Sequence, residues 1–169
     1  MRNGLTPGLH ALDRKMRNGE FVFGWDRYAD KRRLAARRGQ RQGHLAYLRR
    51  LLAGLGLLEV LTEMGIALVT FPDVSLDRGI DDRNLWNYCQ ENDWVLFTDN
   101  RSHEDENSLN ATLQDSWRLG QLPVLTLASK GRFENSTAYA LRVAEDVAEL
   151  LVAVFVDGIR TQPRIFVPL

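Results

Sequence analysis

Cysteine is almost missing from this chain of 169 residues, where Cys89 is the only one. One thiol excludes an internal disulfide framework and any zinc site built from cysteines. It fits a reducing, cytoplasmic setting. Histidine is nearly as scarce, with three copies; His44 and His103 have no metal-ligand spacing between them and read as surface residues. Long hydrophobic runs are also lacking. The longest, Leu150 to Val156, is far too short to span a bilayer, and the opening MRNGLTPGLHALDRK has no apolar core of a signal peptide. No glycine-rich loop follows a strand, which weakens any reading as a nucleotide-binding α/β protein.

What is present belongs to a soluble globular protein: 44% hydrophobic and 26% charged residues, in a length suited to one domain. The net charge of zero hides an asymmetry. Residues 1–50 carry 13 Lys/Arg against 4 Asp/Glu, and residues 51–169 carry 9 against 18. "DKRRLAARRGQR" (30–41) is either a solvated arm, a phosphate-tracking arm that binds nucleic acid by releasing counterions, or an arm folded back on the acidic body. Residues 1–42 show no sustained periodicity and are set apart as a basic, irregular segment, with "EFVFGW" (20–25) as its one short strand candidate.

From Gly43 the pattern is regular. Leu45, Leu48, Leu51, Leu52, Leu55 and Leu58 recur at spacings of three and four, predicting an amphipathic helix loosened around Gly54 and Gly56. "IALVTF" (66–71), "WVLFT" (94–98) and "PVLTLA" (123–128) predict buried strands, and "RIFVPL" (164–169) an edge strand. Between them lie helices at 81–92, with Asp81 as N-cap, at 108–120, closed by Gly120, and from Ser136 towards Gly158. Continuous apolar strands alternating with helices predict an α/β fold with a mainly parallel central sheet covered on both faces.

In such sheets, sites form beyond the carboxyl ends of the strands. Asp99 stands at one such end, and Asp82 opens the helix before that strand. Clustered carboxylates at one rim are what Mg²⁺ or Mn²⁺ requires, since hard cations prefer oxygen ligands, and a metal-bound water can attack a phosphodiester. Plain structural readings stand beside this one. Asp81 and Asp82 at a helix start serve as caps or dipole partners, Asp99-Asn100 is a turn signal, and Glu104 to Glu106 make a solvated loop.

Three stretches carry a resemblance: "DDRNLWNYCQENDWVLFTDNR", an acidic helix start leading to a strand that ends in Thr-Asp; "ENSL", a helix opening after an acidic loop; and "LPVLTLA" before a long helix and a last short strand. Over residues 43–169 the chain resembles the PIN-like nuclease superfamily, more narrowly its small bacterial stand-alone branch. The resemblance implies a three-layer α/β/α sandwich and Mg²⁺- or Mn²⁺-dependent hydrolysis of RNA by three or four acidic residues. It also implies toxin–antitoxin membership for many relatives, and so leaves open an antitoxin or other protein partner and a homodimer. Carried over by position, Asp82 and Asp99 are metal ligands and catalytic residues, Glu106 a further ligand, and Asn100 the residue that orients the water or the phosphate.

One departure matters more than the matches. The family opens on a strand of the form Ile-Leu-Leu-Asp just before the first helix, and here "AARRGQRQ" (35–42) stands in that place, with neither an apolar strand nor an acid. Either "EFVFGWD" supplies a displaced strand with Asp26 as a substitute, or the site is incomplete, or the first forty residues are not the ancestral start, as after a frameshift or a misplaced start. The expectation is therefore a PIN-like metal-dependent ribonuclease impaired by its missing first Asp. The rival is a non-catalytic module that contacts RNA or a protein.

Overall fold

A computed structural model describes residues 33–36, 43–70, 80–99 and 108–169. Eleven elements are placed: β1 (Arg33–Ala36), α1 (Gly43–Gly54), α2 (Leu57–Glu63), β2 (Ala67–Thr70), α3 (Asp82–Glu91), β3 (Trp94–Thr98), α4 (Leu109–Ser116), β4 (Val124–Leu127), α5 (Lys130–Asn135), α6 (Thr137–Phe155) and β5 (Arg164–Val167). The strands form one five-stranded sheet in the order β2-β1-β3-β4-β5. Every neighbouring pair is parallel. The chain is thus mixed α/β, as its alternation of strands and helices predicts. Among the described residues no helix is long and apolar enough to cross a membrane.

The central strand is the correction. Residues 33–36 lie inside the segment expected to be irregular, yet β1 pairs with β2 on one side and β3 on the other. Arg33 stands opposite both Ala67 and Trp94. A four-residue strand with arginines on both flanks carries little propensity of its own, and two ladders supply what propensity does not. The sheet therefore begins ahead of Gly43. Asp26 and "EFVFGW" lie outside the described residues.

Local chemistry sets the helix ends. The expected long first helix is two, parted at Gly56, whose φ of +73° suits a residue without a Cβ. α2 closes on Gly65 at φ +75°. There Gly65 N–H donates to Thr62 and Ile66 N–H to Leu61, a Schellman ending that turns the chain into β2. Ser136 accepts from Tyr139 N–H to open α6. α4 stops at Trp117 rather than at Gly120, because Trp117 is already extended and the Arg118 guanidinium takes the Asp115 and Trp117 carbonyls.

Strand residues alternate between two apolar clusters. Val95, Phe97, Leu125, Leu127, Ile165 and Val167 meet α1, α2, α5 and α6 through Leu48, Leu52, Leu61, Phe133, Val147 and Leu151. Trp94, Leu96 and Val124 meet α3 and α4 through Leu85, Trp86, Cys89, Leu109 and Leu113. Gln90 joins the second face to the sheet by donating to the Leu122 carbonyl at 3.1 Å and accepting from Leu122 N–H at 2.9 Å, which fixes where β4 starts.

Candidate functional site at the carboxyl edge

The strand order defines where a site belongs. From β1 the chain moves to β2 on one side, and from β3 it moves to β4 on the other. A crevice at the carboxyl ends of β1 and β3, where the direction reverses, is the usual ligand position in an open parallel sheet. Asp99 follows β3 directly at that point. The sequence after Ala36, the last residue of β1, is Arg37-Arg38, where the family resemblance calls for an acid.

Asp99 is mostly covered, and its Oδ2 lies 3.4 Å from Nζ of Lys130. Lys130 is the first residue of α5, brought there by the short run Ala128-Ser129 after β4. α5 is held firmly for so short a helix. Ser129 accepts from Arg132 N–H, Phe133 is fully buried, and the Arg132 guanidinium lies 4.4 Å from the Tyr139 ring centroid. At its far end, Glu134 Oε1 is 2.6 Å from His44 Nε2.

Asp82 has a different setting. The ten residues of α3 rise ~15 Å and the five of β3 ~17 Å, so the helix start returns to the level of the strand end. Asp82 is buried at 8% exposure, and its Oδ2 accepts from Leu109 N–H at 2.9 Å. That donor is the first in α4, one of the amides a helix leaves without an internal partner. Asp82 therefore ties the start of α4 to the start of α3. Asp81 beside it is an ordinary N-cap, accepting from Asn84 N–H at 2.9 Å and from the Asn84 side chain at 2.6 Å. The Asn84 amide holds its exposed carboxyl below the usual 3.8.

The structure thus engages the two proposed carboxylates from opposite faces of the sheet, Asp82 by α4 of the second cluster and Asp99 by α5 of the first. Asn100 and Glu106 lie outside the described residues. Among the described residues no three His, Cys, Asp or Glu side chains group in a way that could hold a metal ion. Among the described contacts, one oxygen of Asp82 accepts from a backbone amide and Asp99 faces the Lys130 ammonium.

Three residues here escaped the sequence. His44, expected at the surface, is 4% exposed because Phe133 packs edge-on at 5.9 Å and Glu134 covers it. Lys130 and Glu134 sit on a six-residue helix containing Gly131, too short to show a period. Its one signal is Ser129, a capping residue directly after a strand. Compared with models of known families, with curated proteins and with solved structures, the chain matches none.

Proposed function

We propose that this chain is a PIN-like domain, a three-layer α/β/α sandwich, that binds RNA at the carboxyl edge of its sheet and cleaves it weakly or not at all as it stands. The reading includes a cytoplasmic setting, on the strength of the lone cysteine. One observation carries it: at the β1/β3 switch point Asp99 is paired with Lys130, and β1 leads in sequence to Arg37-Arg38 instead of an acid. An edge whose carboxylate is neutralised by the chain's own cation no longer repels a phosphodiester. The arginine-rich stretch adjoining β1 supplies the positive charge that phosphates attract.

The test is retention of labelled single-stranded RNA over a salt series, beside a cleavage assay with Mg²⁺ or Mn²⁺ and the variant Asp99→Asn. Binding should weaken steeply with salt, and wild type and variant should share the same negligible cleavage. Strong cleavage abolished by Asp99→Asn would overturn the impaired-site reading. Failure to retain RNA at low salt would overturn RNA binding and leave the rival, a protein-contact module.

A further inference from the structure

A carboxylate at the crevice of a parallel sheet attracts the nearest cation. Beside Asp99 that cation belongs to the chain itself. The Lys130 ammonium is 3.4 Å from Asp99 Oδ2, with its side chain 46% exposed and that of Asp99 20% exposed. Lysine is a compact point charge on a flexible stem, so its position depends on how well its backbone is fixed. Here the backbone is fixed at several points. Ser129 caps α5 through Arg132 N–H at 3.3 Å, and Asn135 returns its side-chain amide to the Gly131 carbonyl at 2.8 Å. Phe133 is buried against His44 and Tyr47, with ring centroids 5.9 and 5.2 Å away. Glu134 is locked to His44 at 2.6 Å. Such anchoring is more than an exposed surface pair needs, since a pair of that kind adds little to stability.

We infer that Lys130 is a built-in counter-cation for Asp99, occupying the place at the switch point that a divalent metal would otherwise take. A divalent ion seeking Asp99 must approach a carboxylate whose charge is already matched, against repulsion from an ammonium a few ångströms away. Mg²⁺ and Mn²⁺ also demand near-octahedral oxygen ligands at close range, and an ammonium brings no lone pair. The inference leans on the PIN-like reading only for the kind of ion displaced. RNA binding does not enter it.

Lys130 is half-exposed, so replacing it tests charge without emptying the core. Mn²⁺ alone is the probe, with free Mn²⁺ followed by electron paramagnetic resonance as the full-length chain is titrated. Wild type, Lys130→Met, Lys130→Glu, and Lys130→Met combined with Asp99→Asn are compared, and circular dichroism melting confirms that each folds. Lys130→Met should bind Mn²⁺ at least roughly tenfold more tightly than wild type, as expected for removing a like charge at this distance. Lys130→Glu, which adds a carboxylate, should bind more tightly still, and Asp99→Asn in the Lys130→Met background should return affinity to the wild-type level. If Lys130→Met binds no better than wild type, or if its gain survives Asp99→Asn, Lys130 is not the counter-cation. Should Lys130→Met fail to fold, Lys130→Gln replaces it with the same expectation. RNA retention is read separately, so losing one reading leaves the other standing.

Discussion

The two faces of the sheet are built from different materials. The face covered by α1, α2, α5 and α6 is mostly leucine, valine, isoleucine, alanine and phenylalanine in close contact, and among the described residues His44 and Tyr139 are its buried side chains that carry a polar group. The face covered by α3 and α4 holds two tryptophans and Cys89 together with Asp82, Thr98, Ser108, Thr112 and Thr126, all buried. Thr98 and Thr126 are register partners on adjacent strands, at the end of the sheet where the candidate site lies. One face holds by filled volume. The other depends on polar joints as well, such as the Asp82 carboxylate on Leu109 N–H. The first should therefore fail when volume is removed, and the second when a donor or acceptor loses its partner.

Phe133→Ala should do the most damage. It empties a fully buried position and should cost ~3–5 kcal/mol in denaturant unfolding. It should also release α5, and with it the hold on Lys130. Asp82→Ala should come next at ~1–3 kcal/mol, because it strands the first amide of α4. Asp82→Asn, which restores a neutral acceptor, should recover most of that loss. If Asp82→Ala cost as much as Phe133→Ala, or Asn rescued nothing, the contrast between the faces would break.

Asp81→Ala tests the same helix from its solvent side. The Asn84 backbone amide lowers the Asp81 pKa from 3.8, so the cap stabilises above that unfolded value and is lost as pH falls through the lower folded one. The variant should melt slightly below wild type near neutral pH, and the two should converge in acid. A gap that persists at the acid end would assign the effect to something other than the carboxylate. Smallest of all in stability is a labelling measurement that changes no residue. Burial pushes the Cys89 thiol up to about 12, so a thiol reagent should reach it only when α3 opens. If both faces open together, labelling will track global unfolding. Faster labelling would show that the polar face opens by itself.

Much of this was legible in the sequence for identifiable reasons. β3 is five consecutive buried residues, so its apolar run marks it. Asp81 and Ser136 are caps at the positions where periodic apolar patterns begin. That Asp99 stands at the carboxyl end of a strand followed from where the apolar run of β3 stops. What escaped was set by tertiary contact. β1 is Arg-Leu-Ala-Ala, a strand because it lies between two others. His44 is buried by Phe133 and Glu134, ninety residues away along the chain, which no local pattern reports. The same holds for Lys130, whose partner Asp99 was visible while the short helix that presents it was not.

The place of β1 bears on synthesis as well as on structure. Among the described strands it is the first made and the one that needs the most company. Its two neighbours are β2 at residues 67–70 and β3 at residues 94–98, so on a ribosome adding roughly 5–20 residues per second it lacks its full set of partners until both have emerged. Sheets assembled from distant partners form slowly, and here the wait falls on a stretch crowded with arginine. A chain interrupted between Ala36 and Gly43 would lose more than four residues. β2 would be cut off from the rest of the sheet, and β3 would change from an interior strand into an open edge.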